Sequence, residues 1–281
     1  MRVIRLLDEM QRVAGSLRTE GKSIGLVPTM GCLHEGHLSV VDLARDCCDA
    51  VIVTIFVNPT QFGEGEDFEQ YPRDLDRDLA LCENRQVDMV FVPAGSDLFP
   101  EDHSTFVEET QLAQGLCGES RHTHFRGVVT VCLKLFVLCQ PNFSFFGQKD
   151  AQQVAIIRRM VRDFHLPVEI EVGPTVREHD GLAMSSRNLN LDSDQRRDAL
   201  LLIEALRAGK ALTDGGTLQV DRVRTEIKEV LSRGPRLRVI YVEVVDAETM
   251  EPIAREIQLG RDLLVVAAWV DSVRLIDNLQ L

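Results

Sequence analysis

Residues 23–57 read SIGLVPTMGCLHEGHLSVVDLARDCCDAVIVTIFV. This stretch begins with a short apolar strand over 23–27 and ends with a β-branched run over 49–57, which is typical of a strand covered on both faces. Between the two, residues 38–47 carry apolar side chains at helical spacing. A strand, a helix and a strand in succession predict a βαβ unit, and therefore a parallel sheet with helices on both faces.

The same alternation continues through the first two-thirds of the chain and then stops. The further predicted elements are helices over 71–85 (opened by Pro72), 127–138 and 150–164, and strands over 87–92, 142–146 and 168–172. Later elements are two helices, a strand and a hairpin, over 193–212, 217–232, 238–246 and 263–276. The sequence therefore predicts an α/β fold in two domains, a parallel-sheet domain over residues 1–175 and a smaller α+β domain over 176–281.

The composition is that of an ordinary globular protein. The chain has 281 residues, of which 44% are hydrophobic and 27% charged, and its formal net charge is −13. Such an acidic chain lacks the basic face that nucleic acid binding needs, although a nucleotide substrate needs only a few local donors. The apolar runs are too short to span a bilayer, and the N-terminus lacks the features of a signal peptide. We therefore expect a cytoplasmic protein with no nucleic acid or membrane partner.

The seven cysteines form no recognisable pattern. Their number is odd and no CxxC pair occurs, so neither a disulfide framework nor a ribbon-type zinc site is expected. Cys32 lies within the opening stretch, where a nucleophilic role is one alternative to that of a small core residue.

The segment 27–37, VPTMGCLHEGH, ends a strand with a turn and enters a helix. Backbone N–H groups at a helix N-terminus favour phosphate. His34 and His37 are three residues apart, so both imidazoles can address one bound group, and Gly36 allows a ligand to approach the backbone. The segment therefore indicates a nucleotide platform. Two other interpretations stay open on these residues alone: a helix-capping pair, or half of a metal site.

A second strand also ends in glycine, in the segment FFGQKDAQQ over 145–153. Lys149 can clamp phosphates as a mobile point charge. Asp150 can cap the next helix or help to hold Mg²⁺, which favours carboxylate and phosphate oxygens. Gln153 falls one turn into the helix and faces back to the mouth of the site. The alternative is a polar loop with a helix cap.

A third segment, REHDGLAMSSRN over 177–188, carries two hydroxyls and a guanidinium. Ser185, Ser186 and Arg187 have a composition suited to gripping phosphate, and the segment is flexible enough to act as a lid. A plain interdomain linker with a solvated arginine is the alternative interpretation.

Two other segments, one around Gln61 and one over 122–127, also carry polar side chains of interest. Gln61 follows the strand that ends at Asn58-Pro59, and it offers both a donor and an acceptor to a hydroxy acid or an amide. The acids over 64–78 are expected to be mostly a solvated helix face. Residues 122–127, HTHFRG, add two histidines and Arg126 before a helix, but their spacing is wrong for a helical pair of metal ligands.

The chain closely resembles the pantoate–β-alanine ligases, the family of bacterial pantothenate synthetases. The resemblance runs over nearly the whole chain. It rests on six blocks in order and spacing, PTMGCLHEGH, FVNPTQF, YPRDLDRD, HFRGV, FFGQKDAQQ and REHDGLAMSSRN. HEGH also resembles the HIGH motif of the nucleotidyltransferase superfamily, and MSSR is similar to the mobile KMSKS-type loop of that superfamily.

The resemblance implies a Rossmann-like N-terminal domain that binds ATP, a C-terminal domain that folds over the site, a homodimer, and Mg²⁺ as a cofactor. It implies that His37 is the proton donor, that Gln61 binds pantoate and β-alanine, and that Gln153 binds pantoate. Asp150 is the candidate metal ligand. The residues implied in ATP binding are Met30, Gly31, Cys32, Leu33, His34, Glu35, Gly36, His37, Gly147, Gln148, Lys149, Asp150, Val176, Met184, Ser185, Ser186 and Arg187.

The implied reaction joins pantoate to β-alanine through a pantoyl adenylate, with release of diphosphate and then AMP. The charge that grows at the α-phosphate would be stabilised by His34, His37, Lys149, Ser186 and Arg187. Two rival hypotheses are another adenylyl-transferring member of the superfamily, and a nucleotide-binding regulatory protein without catalysis. The chain departs from the family pattern at Cys32, at Ala151 and at His122-Thr123, where alanine, tyrosine and Pro-Gly are common.

Overall fold

The computed structural model describes residues 1–63 and 65–281. Its larger sheet has six parallel strands in the order β1-β4-β3-β2-β5-β6. The strands are β1 (Arg2–Ile4), β2 (Ile24–Thr29), β3 (Ala50–Ile55), β4 (Met89–Phe91), β5 (Phe143–Gly147) and β6 (Glu169–Gly173). The parallel sheet predicted from the sequence is confirmed. Sequence analysis missed β1, which is three residues long and has two of them exposed.

Helices cover both faces of this sheet. They are α1 (Leu7–Thr19), α2 (Glu35–Cys47), α3 (Leu75–Asn84), α4 (Gly95–Leu98), α5 (Cys117–Ser120), α6 (His124–Cys139) and α7 (Ala151–Asp163). One apolar core lies on the side of α1, α6 and α7, and another on the side of α2 and α3. Ile52 and Val53 of β3 point to opposite cores, which explains why this strand is apolar throughout.

One helix begins later than expected, and one expected helix cap is not formed. Helix α3 begins at Leu75 and not near Pro72, because the Asp74 side chain accepts a hydrogen bond from the Arg77 N–H and caps the helix there. Asp150 occupies the cap position of α7, but among the described residues its carboxylate makes no capping hydrogen bond. That carboxylate is therefore left to face other partners.

The C-terminal part forms a three-stranded antiparallel sheet packed on helices. Its elements are α8 (Ser193–Ala199), α9 (Leu201–Asp214), α10 (Val220–Leu231), β7 (Leu237–Asp246), β8 (Asp262–Val270) and β9 (Val273–Gln280). The predicted hairpin over Asp271-Ser272 is present, and the helix expected over 193–212 is divided into α8 and α9. The fold class, an α/β parallel sheet with a smaller α+β unit, is confirmed.

Alternate side chains of β8 pack into two different cores, one in each part of the chain. Leu264, Val266 and Ala268 enter the core formed with α9 and α10, whereas Leu263 and Val265 enter the core of the large sheet. The small sheet therefore lies between its own helices and the N-terminal part, with one face turned to each. The domain division at residues 175 and 176 stays a prediction. Within the described part of the chain, no helix is both long enough and apolar enough to cross a membrane.

Candidate active site

A cavity of about 1120 Å³ opens at the carboxyl ends of β2 and β5, between the large sheet and the C-terminal part. This is where parallel α/β sheets place their ligands. The cavity brings together most of the site residues proposed from the sequence: Met30, His34, Gly36, His37, Gln61, Gly147, Lys149, Asp150, Gln153, Val176, Ser185, Ser186 and Arg187. Proposed residues outside its lining are Gly31, Cys32, Leu33, Glu35, Gln148 and Met184.

The turn between β2 and α2 is held by a carboxylate from another helix. Asp78 of α3 is 1% exposed, and its two oxygens accept hydrogen bonds from the N–H groups of Cys32 (2.8 Å) and Leu33 (2.7 Å). Gly31 has a φ of 80°, and a Cβ there would lie 3.0 Å from an Asp78 oxygen. Cys32 also has a left-handed φ of 49°. Asp78 thus supports a turn that is costly for a non-glycine residue.

The two histidines cap helix α2 and also line the cavity. His34 Nδ1 accepts a hydrogen bond from the Gly36 N–H (3.1 Å), and His37 Nδ1 accepts one from the His34 N–H (3.3 Å). Their rings stack with centroids 4.0 Å apart. A Cβ on Gly36 would lie 2.9 Å from the His34 ring, so glycine is needed for this packing. The capping interpretation is therefore correct, and it is compatible with a role in the site.

The capping bonds decide which ring nitrogen faces a ligand. Because Nδ1 is the acceptor in both rings, the hydrogen of the neutral imidazole is on Nε2. The backbone N–H groups of Cys32, Leu33, His34 and Gly36 already have protein partners. These four amides are therefore not free to bind phosphate, and the Nε2–H groups are the donors left on the two rings.

Both histidines are neutral at neutral pH. Burial, followed by the positive charge of Lys149, lowers the pKa of His34 to about 4. Burial lowers the pKa of His37 to about 3, with His34 and Lys149 as further causes. In the free protein each ring is consequently a hydrogen-bond donor rather than a cation.

Lys149 lies on a loop that the C-terminal hairpin holds in place. Asn278 of β9 is 5% exposed, and its Nδ2 donates to the carbonyl oxygens of Gln148 (3.0 Å) and Lys149 (2.9 Å). The Lys149 ammonium is 3.6 Å from the Asp150 carboxylate, a contact too long for a strong hydrogen bond. Sequence analysis did not find Asn278, because a buried asparagine within a strand has no local signature.

The candidate lid is docked on the segment before α3. Arg187 makes a bidentate ion pair with Asp67 (2.9 and 3.0 Å), and the Ser186 hydroxyl is 3.2 Å from that of Tyr71. Ser185 accepts a hydrogen bond from the Arg187 N–H. To bind a phosphate, Arg187 would therefore have to break its ion pair with Asp67.

Several of the acidic residues over 64–78, which were expected on a solvated helix face, in fact make hydrogen bonds or ion pairs. Asp78 supports the turn, Asp67 holds Arg187, and Glu66 pairs with Arg121 at 2.6 and 2.8 Å. Asp74 and Asp76 are exposed, as expected. Glu64, which belongs to the same prediction, lies outside the described residues.

Gln61 is fixed by Asn58 of its own motif and by two residues near the start of helix α6, Arg121 and His124. Its side-chain oxygen accepts from Asn58 Nδ2 (3.2 Å), and its backbone oxygen accepts from His124 Nδ1 (2.9 Å) and Arg121 (3.3 Å). Because a carbonyl can only accept, His124 carries its hydrogen on Nδ1, and burial lowers its pKa to about 3. The HFRG block, whose role the sequence left open, thus positions Gln61.

Gly127 allows helix α6 to approach the Gln61 turn. A Cβ on Gly127 would lie 2.4 Å from the Thr60 carbonyl oxygen and 2.6 Å from the Gln61 nitrogen. We expect Gly127→Ala to lower the free energy of unfolding by about 1–3 kcal/mol, because the backbone must shift. It should also weaken the binding of any ligand of Gln61. Urea unfolding and substrate titration would measure both effects.

Gly15→Ala is the matched control for this prediction. Gly15 lies in α1, and nothing stands within 4 Å of an added Cβ. Alanine is the better helix former, so this variant should gain up to about 1 kcal/mol. If both variants proved equally stable, close packing at Gly127 would be refuted.

Asp78→Asn tests the support of the β2–α2 turn. Asparagine keeps the size of the side chain but points an NH₂ group at one of the two backbone donors. We expect the free energy of unfolding to fall by about 1–3 kcal/mol, and ligand binding at His34 and His37 to weaken. Calorimetry of unfolding and of nucleotide binding would measure the two effects. Asp76→Asn, at an exposed position of the same helix, should change neither, and equal losses in both variants would contradict the role of Asp78.

Gln152 and Gln153 are adjacent but have different tasks. Gln152 is buried, accepts from the Cys117 N–H (3.0 Å), and donates to the carbonyls of Leu112 (2.9 Å) and Gly115 (2.8 Å). It therefore fixes the loop before α5. Gln153 lines the cavity, as expected from its position one turn into the helix.

Comparisons with known proteins agree over the full length of the chain. A family model described as Pantoate-beta-alanine ligase matches residues 2–280. A pantothenate synthetase from Thermotoga petrophila is 50% identical over 279 residues, which cover 99% of each chain. The crystal structure of pantothenate synthetase from Thermus thermophilus superposes with a TM-score of 0.94 at 41% identity, covering 100% of this chain and 99% of the other. A pantoate–β-alanine ligase from Francisella tularensis, complexed with Beta-gamma ATP and Beta-alanine, superposes with a TM-score of 0.82 at 32% identity, covering 100% and 97%.

Proposed function

Since the chain belongs to the pantoate–β-alanine ligase family, we propose that it condenses (R)-pantoate with β-alanine at the expense of ATP. The products are (R)-pantothenate, AMP and diphosphate. The observation that carries the proposal is the convergence of His34, His37, Lys149, Gln61 and Gln153 on one cavity. These side chains supply phosphate donors at one side and hydroxy-acid partners at the other.

In the first step a pantoate carboxylate oxygen attacks the α-phosphorus of ATP. An oxygen–phosphorus bond forms, the bond to the β-phosphate bridging oxygen breaks, and diphosphate leaves with the electron pair. Negative charge grows on the transferring phosphate and on the leaving group, and preorganised donors there lower the barrier. We assign this role to the Nε2–H groups of His34 and His37 and to the Lys149 ammonium. His37 acts as the donor to the transferring phosphate, and His34 mainly positions the nucleotide.

In the second step the deprotonated amine of β-alanine attacks the acyl carbon of the pantoyl adenylate. A carbon–nitrogen bond forms, the bond from carbon to the phosphate oxygen breaks, and AMP leaves; the amine proton passes to solvent. Gln61 and Gln153 hold the hydroxy acid, so the two reacting groups meet in one geometry. The bonds from Asn58, His124 and Arg121 keep Gln61 in that position.

Asp150 suits a magnesium ion that accompanies the nucleotide. No three His, Cys, Asp or Glu side chains of residues 1–63 and 65–281 gather into a metal-binding group. Mg²⁺ with a nucleotide usually takes one or two carboxylates and completes its shell with phosphate oxygens and water. The Asp150 carboxylate is 46% exposed beside Lys149 and makes no capping bond, so it fits this pattern. When bound, the ion would neutralise phosphate charge.

The remaining ATP contacts come from the lid and from the segment before it. Val176 and Met184–Arg187 lie on the stretch that connects β6 to α8, and Arg187 would leave Asp67 to reach the phosphates. With the chain divided at residues 175 and 176, the C-terminal domain closes over the nucleotide. A cytoplasmic homodimer belongs to the same proposal, and light scattering in solution would test the dimer.

Isotope exchange tests the proposed reaction. With ATP, pantoate and Mg²⁺ but without β-alanine, the protein should exchange labelled diphosphate into ATP; net AMP should then require β-alanine. Exchange without pantoate would indicate another adenylyl acceptor. Neither exchange nor AMP with both substrates present would refute the ligase proposal and favour a nucleotide-binding regulatory protein.

A further inference from the structure

The cavity has a second end that the mechanism above does not use. It lies against the face of the small sheet that is turned toward the N-terminal part, and it is lined by Tyr241, Trp269 and Arg274 together with Cys117. Tyr241 and Ile276 both lie opposite Ala267, while Arg274 lies opposite Trp269, so these side chains share one face of the sheet.

Within the described part of the chain, Arg274 forms no ion pair with a carboxylate. Its Nη2 donates to the Cys117 sulfur at 3.3 Å, and its Nε is buried with no hydrogen-bond partner among residues 1–63 and 65–281. The other cavity cations lie near carboxylates: Arg187 near Asp67, Arg121 near Glu66 and Lys149 near Asp150. A guanidinium at a cavity wall without a carboxylate beside it is available to pair with the carboxylate of a ligand.

The surroundings of Arg274 lead back to the reaction centre. The Tyr241 hydroxyl is 3.2 Å from the Cys117 sulfur, and the Cys117 N–H is bound by Gln152, the neighbour of Gln153. The pKa of Tyr241 is raised, chiefly by burial and by Cys117, with the negative charge of Asp150 as a further cause.

An amine substrate that also carries a carboxylate suits this end of the cavity, because its carboxylate can pair with the Arg274 guanidinium. We infer that Arg274, helped by the Tyr241 hydroxyl, binds the carboxylate of the amine substrate and directs its amine toward the acyl group. The inference rests on the proposed function and adds to it a residue that selects amino acids over simple amines. Asn278, four positions along the same strand, holds the Lys149 loop, so β9 sets the spacing between the carboxylate site and the phosphate site.

Pantoate also carries a carboxylate, so the test must show which of the two substrates Arg274 binds. The two half-reactions distinguish them, because only the second half-reaction uses β-alanine. The variants are Arg274→Gln, which removes the charge, and Arg274→Lys, which keeps it. If Arg274 binds the amine substrate, Arg274→Gln should raise the KM for β-alanine roughly 10- to 100-fold. Pantoate-dependent diphosphate exchange should keep its KM for pantoate within about 2-fold, and Arg274→Lys should recover part of the loss in KM.

Arg238→Gln is the matched control. Arg238 is exposed and also lies opposite Trp269, on the other neighbouring strand. Its replacement should leave both KM values unchanged. A rise in the KM for pantoate in the exchange assay of Arg274→Gln, or equal changes in every parameter, would overturn the inference.

A substrate analogue tests the inference even if the variants fold poorly. The amide 3-aminopropanamide has the same amine but no carboxylate. The unaltered protein should prefer β-alanine over this amide by roughly 10- to 100-fold in kcat/KM, and Arg274→Gln should lose most of that preference. Equal use of both amines by the unaltered protein, in the presence of normal diphosphate exchange, would refute the carboxylate site while leaving the proposed function intact. Absence of exchange would instead refute the proposed function.

Discussion

Replacing His37 by alanine is expected to lower kcat by about 10²- to 10³-fold while changing the Kd for ATP by only a few fold. His37 lines the cavity and its Nδ1 is taken by the cap, so the Nε2–H is the donor left for a ligand. In the proposed reaction this donor acts on the charge that develops at the transferring phosphate. Single-turnover kinetics would measure the first effect, and calorimetric titration of ATP the second. Equal losses in kcat and in ATP affinity would contradict a role in the transition state.

Alanine at position 37 also removes a cap, so its effect on stability must be measured separately. His37 Nδ1 accepts the His34 N–H, and loss of such a cap costs about 1 kcal/mol. His37→Gln can keep this acceptor and an N–H donor, so it should retain more activity than His37→Ala. His165→Asn is the matched control, because His165 is exposed and has a φ of 53° that asparagine tolerates.

Lys149→Met should lower kcat/KM for ATP by about 10²- to 10³-fold with little change in stability. The ammonium is 3.6 Å from the Asp150 carboxylate, a weak contact, so the fold depends little on it. A bound phosphate, in contrast, would be paired with its full positive charge. Steady-state kinetics and thermal unfolding would measure the two effects. Lys210→Met removes a partly exposed lysine paired with Asp214, and it should leave kcat/KM unchanged. Similar losses in both variants would contradict the role of Lys149.

The same substitution should move two histidine pKa values in a known direction. The Lys149 charge contributes to lowering the pKa of His34 and of His37. Without it both pKa values should rise, but they should stay below the ordinary value because burial, the larger cause, remains. Titration of the imidazole resonances by NMR would measure the shift. Unchanged pKa values would mean that Lys149 lies farther from the two imidazole rings in solution than it does in the structure.

Much of the candidate site could be predicted because its parts are local in sequence. The strand, turn and helix over 23–47 follow from apolar spacing, and the His34 and His37 caps join residues only two or three positions apart. Six sequence blocks then identified the family, and most of the residues taken from them do line one cavity. The sequence could not show that the N–H groups of Cys32 and Leu33 are already bound, because their acceptor is the distant Asp78.

The β-α alternation, the candidate ATP segments and the family were thus determined by the sequence itself, because hydrophobic periodicity and short motifs express contacts between near neighbours. Only the tertiary structure decided what supports those segments. Asp78 reaches Leu33 across 45 residues, and Asn278 reaches Lys149 across 129. It also decided that Arg274 faces the cavity without a carboxylate partner among the described residues. Such pairings depend on how helices and sheets pack, and no pattern along the chain records which distant side chain will meet a given backbone group.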